Sequence, residues 1–399
     1  SFSIYKDISG LKAGEILEID SNLHKKLTSY FNYNNLINRE TYQENNKDLI
    51  CRLDFSIKET VNLHCNTNSK FGLLLSGGFD SSMLMKYSKD FKKPEAGFIK
   101  LCPGIESIPL NVVPKLLAKY PIDAFFKVIY PKFYYLELIE FIKTNLIIPK
   151  WGGTSAMRSL LEDVKNKDIK VLFGGDGIDE SMMGYDTQVC FLNKTSSNLI
   201  HSILSGEPLL SKYSQEDNQK LIEERKTIEI NLQEYMSKEE AFTQSFLYQD
   251  TLVFLQRCNL PSADLFSMNQ SIELRNPFVD VKFLQFALNI PLKNKYNKKN
   301  GGKYIFKMLA KDKIGDIFPH HKEGTRNFSR LISKLEYWNL NKFQTFEVFP
   351  ELRNIENFQT NTRFTIICLE ILFKVLENPY KAKENIDQLL SDKGKLVFT

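Results

Sequence analysis

The chain has 399 residues, 42% apolar and 25% charged, with 53 Lys and Arg against 48 Asp and Glu for a formal net charge of +5. At about 100–200 residues per domain, this length suggests two or three domains and at least one sizeable core. The composition is globular and excludes a disordered, collagen-like or disulfide-scaffold chain, and the small, scattered basic excess gives no argument for nucleic acid or membrane binding.

Residues 1–35 read as short and β-rich, with Gly14 to Asp20 alternating like a half-buried strand. Leu49, Leu53, Ile57 and Val61 recur at helical spacing, which predicts an amphipathic helix within 36–69. From 71 to 180 strands and helices alternate. Strands are predicted at Phe71–Leu75, Ala96–Lys100, Phe125–Tyr130 and Lys170–Phe173, and helices at Ser82–Ser88, Pro109–Lys119, Tyr134–Lys143 and Ser155–Val164. That alternation predicts an α/β fold with a doubly wound parallel sheet. Beyond residue 190 helical patterns dominate, at Lys220–Met236, Ala241–Leu255 and Arg363–Leu376, and 293–303 reads as a mobile loop. Residues 190–240 carry no signal beyond helix.

The cysteines Cys51, Cys65, Cys102, Cys190, Cys258 and Cys368 form no CxxC pair and have no His at zinc-finger spacing. They read as idle thiols of a reducing, cytoplasmic compartment. No apolar run reaches the length of a membrane span. Phe2 to Asp7 is too short and too polar for a signal peptide. The chain opens at Ser1 rather than at a methionine, which leaves open a missing N-terminus.

The most informative stretch is Leu73-Leu74-Leu75-Ser76-Gly77-Gly78-Phe79-Asp80-Ser81-Ser82. A buried strand runs into two glycines that permit a tight turn and close backbone approach to a ligand. Ser81 and Ser82 then sit at the start of a helix, whose free N–H groups and dipole suit a phosphate or pyrophosphate. Asp80 repels a phosphate directly but makes sense with a bridging divalent cation. A bare Gly-Gly pair would be only a turn with a helix cap, whereas the full string argues for a ligand loop. No GxxxxGK[ST] occurs, so this is not an ordinary P-loop. The string resembles the pyrophosphate loop of the ATP pyrophosphatases, which cleave ATP between its α- and β-phosphates.

A second string, Val171 to Glu180 with Gly175, Asp176, Gly177 and Asp179, follows another predicted strand and leads to Gly184-Tyr185. Taken alone it is an acidic turn, and a GxGxxG reading fails at Glu180. In one parallel sheet, however, strand carboxyl ends share an edge where ligands bind, and Asp80 and Asp179 would converge there around a metal. This string resembles the SGxGxDExxxGY element of the asparagine synthetase family, with Gly174 in place of the usual Ser. Ser267 to Asp280 is similar to that family's SMxxSxExRxPFxD segment, with Leu265 where a basic residue is usual. Gly301-Gly302-Lys303 is similar to the start of its KxxLR helix. Without that resemblance, Lys303 reads as one solvated lysine beside Lys293, Lys295, Lys298 and Lys299. His321 to Gly324 fits the family's RPKxGF poorly.

The resemblance spans roughly 40–330 and implies the ATP-pyrophosphatase type of fold, with a large helical C-terminal part. It divides the chain into a 1–35 remnant similar to the end of a glutaminase-like domain and a 36–399 synthetase domain. The glutaminase needs an N-terminal Cys, and this chain begins with Ser1. The resemblance implies ATP and Mg²⁺ as cofactors. The loop of Leu74, Ser76, Gly77, Gly78, Asp80, Ser81 and Ser82, with Gly175 and Gly177, would bind the nucleotide. Asp80 and Asp179 would hold the metal, and Lys303, Glu273 and Asp176 would be catalytic, with Gly177 adding an oxyanion N–H. The implied reaction is ATP-dependent amide-bond formation through an acyl-adenylate. It would be intramolecular, as in β-lactam synthetases and lasso-peptide cyclases, or an asparagine-type amidation with ammonia. The partners would be a small-molecule or peptide carboxylate, an amine donor and a separate glutaminase or peptidase, with no membrane and no nucleic acid. A tRNA- or nucleotide-modifying ATP pyrophosphatase and a non-catalytic nucleotide-binding module remain the alternatives.

Overall fold

The structure is a computed structural model. It describes residues 7–8, 10–11, 14–31, 36–37, 45–101, 108–149, 157–185, 188–189, 219, 222–318, 329–358 and 360–398. Cys102, Cys190, Ser155, the His321–Gly324 segment and parts of 1–13 lie outside the described residues.

Among the described residues, β1 (Glu15–Ile19) and β2 (Lys25–Ser29) pair first, as an antiparallel ribbon. Its alternation predicts one buried face, yet Ile16, Leu17, Ile19 and Leu27 are all exposed. The pattern is right for a strand, but no described element covers it.

Helix α1 (Asn46–Cys65) starts where the Asn45 side chain accepts from the Lys47 and Asp48 amides, both at 3.0 Å. Its expected stripe of Leu49, Leu53, Ile57 and Val61 is fully buried, each residue contributing about 1.5–3 kcal/mol of apolar transfer. Then come β3 (Phe71–Leu74), α2 (Phe79–Phe91), β4 (Ala96–Leu101), α3 (Ile108–Lys119), β5 (Asp123–Val128), α4 (Pro131–Asn145), α5 (Arg158–Asn166), β6 (Val171–Phe173) and the short α6 (Ile178–Ser181). The last strand among the described residues is β7 (Glu273–Arg275).

These five strands form one parallel sheet in the order β5-β4-β3-β6-β7. The chain builds outward from β3 through β4 to β5, then returns to lay β6 on the other side of β3. The point between β3 and β6 is therefore the switch point of a doubly wound sheet, where loops leave to opposite faces and a crevice opens. The parallel α/β fold expected from the alternation is present. β7 has no strand signal in the sequence because Glu273-Leu274-Arg275 is mostly charged, whereas the equally short β6 is an apolar run.

Period-two alternation distributes the strands between two cores. Phe71, Leu73, Leu75, Val171 and Phe173 pack with α1, α2, α3, α9 (Val281–Leu288) and α10 (Tyr304–Ile314). Phe98 and Leu172 point the other way, into a core with α4, α5 and the C-terminal helix α11 (Thr360–Glu377). α5 has no local cap. Glu137 of α4 accepts from the Arg158 and Ser159 amides at 3.2 and 3.1 Å instead. Between β6 and β7 run helical residues 222–232, α7 (Lys238–Gln249), a π-helical stretch (Asp250–Asn259) and α8 (Leu260–Met268). A third core joins Met183, Ile228, Leu232, Leu247 and Tyr248.

The 293–303 segment is not the mobile loop that its Lys and Asn content suggests. Residues Leu292–Lys295 form a helical turn, and Asn297 and Gly301 pair as a bridge. Lys295 is fully buried, donating to the Leu288 carbonyl at 2.7 Å. Among the described residues, Cys51, Cys65 and Cys368 are free thiols, and no helix is long and apolar enough to cross a membrane. Burial pushes the Cys65 thiol up to about 11.

Candidate active site

The loops after β3 and β6 lie side by side at the carboxyl edge of the sheet. A methyl group on Gly175 would come within 3.2 Å of Asp80 Cβ and 3.3 Å of the Ser81 amide. A side chain here would press the two motifs apart by a few tenths of an ångström, so glycine lets them touch this closely. In the first loop Gly77 takes a left-handed φ of 76°, and Gly78 caps α2 with no side-chain bond. The Ser76 and Ser81 hydroxyls stand 3.2 Å apart, and Ser76 Oγ accepts from the Gly78 amide at 3.2 Å. An uncapped helix start flanked by hydroxyls suits an anion. Ser82 is buried, with its hydroxyl donating to the Gly78 carbonyl at 2.7 Å, and Leu74 packs against the core, so both hold the loop from behind.

Asp80 opens α2 and Asp179 opens α6, and Lys303 reaches both. Its Nζ lies 2.6 Å from Asp80 Oδ2 and 2.6 Å from Asp179 Oδ1. Lys303 is 4% exposed. Burial works against its charge, but the Asp179 and Asp80 carboxylates outweigh it and hold the pKa above that of an ordinary lysine. The solvated reading of Lys303 is thus overturned, and so is that of Lys295. Lys303 adopts a left-handed backbone (φ 58°) at the start of α10, a conformation that costs an L-residue about 1–2 kcal/mol. Its amide donates to the Met182 carbonyl at 2.9 Å, which fastens it beside the second motif.

Asp176 sits beside this trio. Burial pushes its carboxyl up to about 7, with Glu180, Asp179 and Asp80 adding like charge. Glu180 is 1% exposed and is held in place rather than open to a ligand. It accepts from the Tyr185 hydroxyl at 2.7 Å and from the Gly177 amide at 3.1 Å. The Gly177 N–H is thereby spent on Glu180, which removes it as the expected oxyanion donor. Gln188 donates to the Glu180 carbonyl at 3.3 Å and to Asp250 at 2.8 Å, extending the network to the π-helical stretch. π-helical turns often accompany functional sites.

Glu273 does not join the cluster. It pairs across the sheet with Val171, at the N-terminal end of β6, whereas Asp176 and Asp179 follow the carboxyl end. Its carboxylate is exposed and bonds Arg275 at 2.8 Å, which holds it below the ordinary glutamate range.

The structure also singles out residues that the motif reading did not. A methyl on Gly184 would overlap Asp179 Oδ1 and Lys303 Cε and lie 2.6 Å from Asp179 Cα. One on Gly302 would overlap the Met183 carbonyl. These glycines were visible in the quoted strings, but only the fold shows what crowds them.

Two carboxylates converging on one point suit a Mg²⁺ that arrives with phosphate oxygens and water, since that ion needs few protein ligands. Among the described residues no group of three or more His, Cys, Asp or Glu stands ready to hold a metal by itself.

Residues 149–343 match the family model described as asparagine synthase. The glutamine-hydrolyzing asparagine synthetase 1 of Bacillus subtilis is 24% identical over 71% of this chain and 50% of its own length. The glutamine-hydrolyzing asparagine synthetase 2 of Lotus japonicus is 23% identical over 64% of this chain and 38% of its own. The chain therefore spans about half the length, or less, of these curated relatives. A solved NH3-dependent NAD synthetase from Campylobacter jejuni aligns with 52% of this chain and 95% of its own at 15% identity, with a TM-score of 0.28. The family match takes in the second, third and fourth motifs, and across that stretch the chain is similar to the asparagine synthetases.

Proposed function

We propose that this chain joins a carboxylate to an amine at the expense of ATP, through an acyl-adenylate. The observation that carries this reading is the meeting of Asp80, Asp179 and Lys303 beside the uncapped start of α2. A carboxylate does not condense with an amine at neutral pH because oxide is a poor leaving group. Here a substrate carboxylate oxygen attacks the α-phosphorus, the bond to the bridging oxygen breaks, and pyrophosphate leaves. Ser76, Gly77, Gly78 and Ser81 cradle the departing pyrophosphate. Mg²⁺ held by Asp80 and Asp179 would neutralise the phosphate charge. The Lys303 ammonium balances the developing negative charge as a point charge. The amine then attacks the acyl carbon and AMP departs with its oxygen. Asp176, with its carboxyl near 7, is the group suited to take the amine proton.

Either an amine within the same substrate or free ammonia fits this scheme. The deciding experiment is mass spectrometry of products after incubation with ATP and Mg²⁺. The arms are aspartate with and without ammonia, and small peptides. A peptide product lighter by one water indicates ring closure, and ammonia-dependent asparagine indicates amidation. Asp80→Asn should abolish pyrophosphate release while leaving the circular dichroism spectrum unchanged. Release stimulated by tRNA would instead favour a nucleic-acid-modifying pyrophosphatase. No release with any acid would leave a nucleotide-binding module.

A further inference from the structure

The following inference rests on the nucleotide-site reading above. A cation touching both Asp80 Oδ2 and Asp179 Oδ1 has to stand where the Lys303 ammonium stands, 2.6 Å from each oxygen. The ammonium is not there by chance of a loose side chain. The left-handed backbone of Lys303, its amide bond to Met182 and the missing side chain of Gly184 all hold it in place. Its side chain is 5% exposed, against 14% and 18% for the two carboxylates, so the ammonium lies deeper than either of the groups it neutralises.

We propose that Lys303 is the built-in counter-cation of this carboxylate pair. It bars a free divalent metal from Asp80 and Asp179, and yields the position only when nucleotide phosphates arrive to receive its ammonium. The reason is electrostatic. A divalent ion entering alone would meet an ammonium at contact distance, and displacing that ammonium would strand a buried charge without a partner. A triphosphate brings the anionic oxygens that an ammonium needs elsewhere. Metal and nucleotide then enter as a unit, and free metal binds only to the fraction of molecules in which Lys303 has moved aside.

The test is a titration of the full chain with Mn²⁺ alone, with free Mn²⁺ read by electron paramagnetic resonance. Lys303→Met should bind Mn²⁺ at least about tenfold more tightly than wild type, in line with a site freed from blockage. Adding Asp80→Asn to that variant should remove the gain. A Lys303→Met chain that keeps the wild-type circular dichroism spectrum and gains no affinity would overturn the proposal. If Lys303→Met does not fold, wild type against Asp80→Asn decides alone. Asp80-dependent uptake of Mn²⁺ by wild type without nucleotide overturns the proposal. Such uptake appearing only with the α,β-methylene analogue of ATP supports it. Failure of wild type to bind the analogue at all would sink the functional reading, while the Mn²⁺-only arms still report on Lys303.

Discussion

Gly184→Ala tests the core of the site with a single methyl group. The added carbon would overlap Asp179 Oδ1 and Lys303 Cε and lie 2.6 Å from Asp179 Cα. One of those neighbours is backbone-linked and cannot swing away. The Gly184 amide also donates to the Asp179 carbonyl at 2.8 Å, so the turn cannot open without losing a bond. If the loop shifts and the ion pair survives, the cost is that of overpacking, about 1–3 kcal/mol. If the ammonium is expelled from Asp179, the stranded charge raises the cost to about 3–5 kcal/mol. We expect the larger figure, because a Lys303 that is 4% exposed has nowhere to go. Urea unfolding followed by circular dichroism measures it, with pyrophosphate release assayed in parallel. Gly301→Ala serves as the control. Its φ of 69° is strained for alanine, but its nearest neighbour is the Lys307 Nζ at 3.8 Å, so its cost should stay near about 1–2 kcal/mol. A Gly184→Ala chain with the wild-type midpoint and wild-type turnover would refute the trio's geometry.

Glu273→Gln should leave pyrophosphate release within about threefold of wild type, since the lost partner is an exposed one worth about 0–1 kcal/mol. A loss of two orders of magnitude would mean that Glu273 reaches the reacting centre after all. Burial pushes the Asp250 carboxyl up to about 7 from 3.8, against the Gln188 bond that favours its charge. The native state therefore holds that proton more tightly. The resulting stabilisation is complete below about pH 3.8 and is lost as pH rises through about 7. Asp250→Asn lacks that slope and should gain stability relative to wild type between pH 5 and pH 8. An unchanged difference in urea midpoint across that range would contradict the burial. Leu53→Ala, in the fully buried stripe of α1, should cost about 2–5 kcal/mol, read by the same unfolding curve.

Local patterns carried most of the fold. The apolar runs at Phe71, Ala96 and Val171 and the stripe of Leu49, Leu53, Ile57 and Val61 became strands and a buried helix because periodicity follows from backbone geometry. So did the two loops, since glycine-rich turns at strand ends are local chemistry. The exposure of the β1–β2 ribbon and the burial of Lys295 were beyond its reach, because a pattern says which face is apolar and not what lies against it. Residues 80, 179 and 303 are far apart along the chain, and their meeting at 2.6 Å depends on strand order and on where α10 docks. The same tertiary arrangement separated Glu273 from the carboxyl edge and turned the Gly177 amide toward Glu180. Charge type and spacing are written in one dimension, whereas the partner that neutralises a buried charge is chosen only when the chain closes on itself.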